Sequence, residues 1–312
     1  MTTYKGIKGL SLQTVAGDPS NLSAGQIWYN SSARKIKVFK AGAGAWSTAT
    51  ALNTGRTVQA TAGIQTAGLC SGGNPAPSRA LSEEWNGSAW AEGDNLQTAR
   101  SSFRGTGTQT AALAVGGAPP ANGTGATEEY NGTSWSEQSD RNAGYNLGLA
   151  GTQTAGLAMG GYDGGGMNEV DEYDGSSWTA GGNYPASVYN ITGIGTQTAA
   201  LGLGGTPCLG AKAKEYDGSS WSEGGDLPGD WAWTQGAGTQ TAAISAFDGS
   251  CATYNGTAWS EVGDLNTPRR EGDGSNAGTS AATSYYAGGD PGPSACEEWD
   301  DPSLVTATFT SS

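Results

Sequence analysis

A unit of about 44 residues recurs along nearly the whole chain, and this repeat limits the possible folds more than any other feature. Its clearest copy opens Gly151-Thr152-Gln153-Thr154-Ala155-Gly156-Leu157-Ala158-Met159-Gly160-Gly161 and closes Asp171-Glu172-Tyr173-Asp174-Gly175-Ser176-Ser177-Trp178. The opening glycine stands at Gly63, Gly107, Gly151, Gly195, Gly238 and, degenerate, Gly278, at intervals of 44, 44, 44, 43 and 40 residues. The closing tryptophan keeps the same beat at Trp46, Trp90, Trp135, Trp178, Trp221 and Trp259, with Leu304 where the next is due. A repeat of this length is one supersecondary unit that cannot bury its apolar face alone, so the copies must stack.

Residues 100–138 show what one copy contains. Residues 101–106 and 110–115 are short β-compatible runs joined by Gly107-Thr108-Gln109, a tight-turn composition. Gly116-Gly117 ends the second run. A loop of small residues leads to Thr127-Glu128-Glu129-Tyr130, then to an Asn131-Gly132 turn and Trp135-Ser136-Glu137. Asn-Gly and Asp-Gly between strand-like runs signal a hairpin because both tolerate positive φ. Each copy therefore reads as four antiparallel strands, a to d. No segment sustains a 3.6-residue apolar period, so almost no helix is expected.

Four strands in about 44 residues, repeated, predict a single all-β propeller. The 53 glycines in 312 residues fall on turns and strand ends, and the eleven tryptophans are expected to form an inter-blade core. A Gly-Gly pair ending strand b, an aromatic ending strand c and a Trp opening strand d resemble the kelch repeat over about residues 50–310. The pairs are Gly72-Gly73, Gly116-Gly117, Gly160-Gly161, Gly204-Gly205 and Gly288-Gly289; the aromatics are Trp85, Tyr130, Tyr173, Tyr216, Tyr254 and Trp299. Arg56, Arg100 and Arg270 stand roughly where kelch repeats often place an Arg before strand a. The resemblance implies kelch-like blades and leaves function open. Phe39 and Trp46 fall on the beat of the c–d hairpins, giving seven hairpins against six Gly-Thr-Gln-Thr turns. The expected ring has seven blades, with a divergent first blade; the alternative is six blades plus an N-terminal docking hairpin. The matching division is a 1–24 arm, a 25–49 hairpin or divergent first blade, and repeats over 50–312.

Net charge is −14, unevenly spread. Residues 1–45 hold Lys5, Lys8, Arg34, Lys35, Lys37 and Lys40 against Asp18, a balance of +5; the remainder holds nine basic and 28 acidic residues, a balance of −19. An acidic body excludes nucleic acid as a partner, which needs a basic footprint. Met1 to Lys8 lack the apolar core of a secretory signal, and no apolar run is long enough to span a bilayer. Cys251 and Cys296 hold equivalent places in different units, too far apart for a bridge; Cys70, Cys208, Cys251 and Cys296 are expected as free, mostly buried thiols.

Enzymatic chemistry finds little support. The chain has no histidine, which removes Ser-His-Asp and Cys-His catalysis and His-ligated metals, so no metal or cofactor is expected. Paired carboxylates occur at Glu83-Glu84, Glu128-Glu129, Asp171-Glu172 and Glu297-Glu298. Neighbours on a strand point to opposite faces, and recurrence in copy after copy suggests a structural role, such as charging strand surfaces against edge pairing.

The segment Gly17-Asp18-Pro19-Ser20-Asn21-Leu22-Ser23, followed by Gly25-Gln26-Ile27-Trp28-Tyr29-Asn30 and Trp46, resembles an N-terminal module of phage virion and tail-fibre proteins, particularly of marine phages. That resemblance implies a virion structural protein, made in the host cytoplasm and present in multiple copies on the particle. It would dock on other virion proteins through Lys5, Lys8, Arg34, Lys35 and Lys37. Antiparallel order puts the a–b and c–d turns on one face of the disc and the variable b–c and d–a loops on the other. Binding residues concentrate on loops held by a rigid scaffold. Aromatic and basic residues outside the period are therefore the binding candidates: Trp231, Trp233, Tyr145, Tyr189, Tyr162, Phe103 and Arg104. Their partner would be a host surface glycan or receptor; a plug at the channel mouth is the structural reading of Trp231 and Trp233. The alternative function is a cellular carbohydrate-binding propeller and, more remotely, a glycan hydrolase.

Overall fold

The computed structural model describes residues 13–16, 27–32, 35–38, 44–75, 78–119, 123–142, 144–207, 212–271, 273–274, 285–290 and 294–300. The chain divides into two compact units, residues 1–44 with 300–312, and Ala45–Trp299. In the first, Gln13–Val15 pairs parallel with Ile27–Asn30, which pairs antiparallel with Lys35–Val38.

The second unit is a propeller of four-stranded antiparallel sheets. Blade I comprises Ala60–Ile64, Ala67–Ser71, Ser82–Trp85 and Trp90–Glu92. Blade II comprises Arg104–Thr108, Ala111–Val115, Thr127–Tyr130 and Trp135–Glu137, and blade III Gly148–Thr152, Ala155–Met159, Val170–Tyr173 and Trp178–Ala180. Blade IV comprises Tyr189–Thr196, Ala199–Thr206, Ala213–Tyr216 and Trp221–Glu223, and blade V Gln235–Thr239, Ala242–Phe247, Ser250–Tyr254 and Trp259–Glu261. These five are each built from consecutive chain. The sixth sheet joins both ends of the unit: Asp273–Gly274, Tyr285–Ala287 and Cys296–Asp300 are completed by Ala45–Ala49. Innermost strands touch in order round the axis, and Asp273–Gly274 touches Ala60–Ile64, so the ring closes.

The expected all-β propeller with almost no helix is what the described residues form; their one helical element is the 3-10 turn Ser78–Ala80. The expected count of seven blades is corrected to six four-stranded sheets among the described residues. Trp46 is on the beat because it opens a fourth strand, but that strand completes blade VI, where its ring lies 5.4 Å from that of Trp299. Leu304, at the next beat, lies outside the described residues.

Local chemistry explains the repeat. Strand a begins later than its composition suggests, because Ser102 takes a left-handed φ of 59° before it. Gly107 has φ +98°, and a Cβ there would stand 2.2 Å from the Ala111 carbonyl oxygen; Gly63, Gly151, Gly195 and Gly238 are held the same way, and Gly278 lies outside the described residues. The a–b turn itself falls at Gln109-Thr110, two residues beyond that glycine. The c–d aromatics pair: Tyr130–Trp135, Tyr173–Trp178 and Tyr216–Trp221 have ring centroids about 5 Å apart. Asp174 accepts the Ser176 hydroxyl and the N–H groups of Ser177 and Ser176, and these bonds hold its carboxyl down at about 2.

Candidate functional site

Most polar residues of the repeat are engaged between blades. The glutamine after each a–b glycine reaches back into the preceding blade. Gln109 Nε2 donates to the carbonyls of Gly68 and Trp85, Gln153 to Ala112 and Tyr130, Gln197 to Gly156 and Tyr173, and Gln240 to Ala200 and Tyr216. The Gly-Thr-Gln composition that marks the tight turn in the sequence thus also carries a contact between blades, and the recurrence of the glutamine two residues after the glycine is its signal.

The paired carboxylates divide as strand alternation requires. The first of each pair is buried against an arginine: Glu83 with Arg56, Glu128 with Arg100, Asp171 with Arg141, Glu297 with Arg269. Glu128 also accepts the N–H groups of Gln97 and Thr98, so both its oxygens are occupied. The second carboxylate faces the next blade: Glu84, Glu129 and Glu172 accept the hydroxyls of Tyr130, Tyr173 and Tyr216, as the unpaired-in-sequence Glu215 accepts that of Tyr254, while Glu298 accepts the Gln65 amide. The role is structural, as expected, but it works through ion pairs and hydrogen bonds rather than by charging strand edges. The arginine before blade VI is Arg269; Arg270 is exposed and bonds Asp248.

Two of the proposed binding residues belong to the core. In blade V the arginine and carboxylate positions hold Trp231 and Ala252, and both lie in one buried cluster where Trp231 stacks on Phe247. A well-packed apolar pair replaces a buried ion pair at little or no cost. Trp231 is therefore a structural substitute, and its break in period does not mark a ligand site. Phe103 is fully buried beneath the Arg100 guanidinium, 5.0 Å from its ring centre. Arg104 lies on the innermost strand of blade II and is also buried. Lys5, Lys8 and Arg34 lie outside the described residues; Lys35 and Lys37 fall on the strand Lys35–Val38.

The other four stand on the loop face, half-buried. Tyr145 precedes blade III, Tyr162 is in the b–c loop of that blade, and Tyr189 opens blade IV. Tyr162 packs between its two neighbours, with centroids 5.4 and 5.1 Å away. Burial, then the neighbouring tyrosines, raise the Tyr145 hydroxyl above its ordinary value. The exposed loop 163–166 borders the trio.

Trp233 sits at the mouth of the ring. Six non-glycine residues at or just before the start of the innermost strands are left-handed: Val58, Ser102, Asn146, Asn190, Trp233 and Glu271, with φ between 49° and 61°. Such backbone costs on the order of 1–3 kcal/mol per residue. A belt of backbone bonds offsets it: Val58 N–H donates to Glu271 O, Ser102 to Val58, Asn146 to Ser102 and Asn190 to Asn146, at 2.7–2.8 Å. Among the described residues no such bond joins Trp233 to Asn190 or Glu271. Asn190 Oδ1, buried on the neighbouring blade, has no hydrogen-bond partner.

Two polar clefts also open on the loop face, one of about 360 Å³ beside Glu128, Glu137 and Asp140, the other of about 100 Å³ beside Glu83 and Glu92. Glu83 and Glu128 are already ion-paired, and Asp140 accepts the Thr127 N–H. Among the described residues no three His, Cys, Asp or Glu side chains stand together as a metal site. Cys70, Cys251 and Cys296 are free and buried, and burial pushes their thiols to about 12, 12 and 11. Cys208 lies outside the described residues.

No family model matches the chain, and no curated protein is detectably similar to it in sequence.

Proposed function

We propose that the chain is a non-enzymatic structural protein of a phage particle, docking through its N-terminal region and presenting the loop face of its ring to a receptor or partner. The observation that carries this reading is the division of residues between faces. The repeat's glutamines and strand c tyrosines are occupied between blades, and its arginines and the carboxylates they pair with are occupied within them. The half-buried aromatics Tyr145, Tyr162, Tyr189 and Trp233 are not aromatics that the repeat calls for in every blade, and they gather on the loop face. Aromatics that are rigidly held and partly open supply contact area at low entropic cost. The virion setting is supported by the resemblance of residues 17–46, and docking by the +5 balance of residues 1–45 against −19 in the rest. Opposite charge speeds and steers assembly, an effect that salt weakens.

Two assays on the full chain test this. An antibody should detect it in purified phage particles, and labelled protein should bind host cells through the loop face, with binding lost on Tyr162→Ala. Absence from particles together with retained binding on a glycan array would favour the cellular carbohydrate-binding reading instead.

A further inference from the structure

Five arginines are buried among the described residues: Arg56, Arg100, Arg104, Arg141 and Arg269. Four have a carboxylate partner. Arg104, 4% exposed, has none within 4.0 Å among the described residues, and among these its Nε is a buried donor without an acceptor. An unpaired buried guanidinium costs several kcal/mol. At the positions of the other four arginines the charges come and go together: where blade V lacks the arginine it lacks the carboxylate as well.

The location of Arg104 restricts what could neutralise it. It stands three residues before Gly107 on the innermost strand; the same level in blades I and III is held by Ala60 and Gly148, which carry neither charge nor bulk. In blade VI the strand register puts Asp273 at this level, opposite Ala287 just before the Gly-Gly pair. Asp273 accepts the Thr61 N–H at 2.9 Å and is fully buried. Arg104 is close enough to lower the Asp273 pKa, yet the two form no ion pair. Two opposite charges thus stand at one level on the innermost strands of blades II and VI, which flank blade I, more than 4.0 Å apart.

We infer that the axis of the ring is a binding site for one small monovalent anion of halide or carboxylate size, held by the Arg104 guanidinium. The anion supplies the counter-charge the chain omits. Protonated Asp273 adds a donor on the far side, and ionised Asp273 repels, so binding strengthens as the pH falls through about 6. This site is independent of the loop face and of the proposed role in a virion.

Chloride is the probe. The full chain is melted in sodium gluconate, an anion far larger than the halide or small carboxylate proposed, and chloride replaces gluconate at constant ionic strength. Above the dissociation constant, each tenfold rise in chloride multiplies the folding equilibrium constant about tenfold. Arg104→Met abolishes that dependence and, in gluconate, melts no lower than the wild type, because it removes an unpaired charge. Chloride-nucleus NMR line broadening on the wild-type chain gives a readout that needs no variant; it disappears when bromide competes. A wild type indifferent to chloride, or a chloride response equal in Arg104→Met, overturns the site.

Discussion

The two faces of the ring come from the same repeat yet obey different rules. On the turn face, every blade from II to V repeats one solution: a left-handed glycine, then a glutamine whose amide bonds two carbonyls of the blade before. On the loop face each blade ends differently, with a cleft beside blades I and II, a tyrosine trio at III and IV, and Trp233 at V. The contrast teaches that identical side chains mark where the ring is held together. Divergence marks where the ring can carry something else, provided the divergent residue is not itself filling a hole, as Trp231 does.

The largest expected effect tests the buried ion pairs that the repeat carries. Arg100→Ala leaves Glu128 buried without its counter-charge and should cost about 3–5 kcal/mol, while a double change of Arg100→Leu and Glu128→Leu recovers much of the loss. Chemical denaturation of both variants checks this, and equal losses would show that the pair is not the unit that matters.

Next comes the closing interface, where Asp273 is fully buried and raised from 3.8 to about 6. A carboxyl with a raised folded-state pKa binds its proton more tightly in the native protein. Its contribution is therefore full below about pH 4 and is lost as the pH rises through 6, a difference of about 3 kcal/mol by linkage. Melting at pH 4.5 and pH 7 should show this loss in the wild type and not in Asp273→Asn.

A smaller effect separates the faces directly. Gln153→Ala removes two bonds to the Ala112 and Tyr130 carbonyls and should cost about 1–2 kcal/mol. Tyr173→Phe removes a single bond to Glu129 and should cost about 1 kcal/mol. Both leave the loop face intact, so ligand binding by the folded fraction should not change; a loss would mean the faces are coupled.

Much of this was legible in the residues. Period, strand order and hairpins follow from local turn chemistry, and the antiparallel sorting of loops follows from strand order. The blade count was not, because periodicity places Trp46 in a strand d without saying that its strand joins Cys296–Asp300 at the other end of the unit. Trp231 and Trp233 looked alike as aromatics off the beat. Only tertiary contact shows that Trp231 fills the space of a missing ion pair while Trp233 does not. The pairing of Arg141 with Asp171 was hidden because that arginine stands three residues earlier than its counterparts, a shift no spacing rule anticipates.

Trp233→Asn tests the contrast most directly. Trp233 holds a left-handed φ of 61° without a belt bond, whereas Asn146 and Asn190 hold the same place in blades III and IV. Asparagine tolerates that backbone, so if Trp233 is present for a ligand rather than for the ring, the variant should melt at or slightly above the wild-type temperature, a gain of up to about 1 kcal/mol, and lose binding at the loop face. A variant that melts several degrees lower and still binds would make Trp233 a plug of the channel mouth, and the division of labour between the two faces would be wrong.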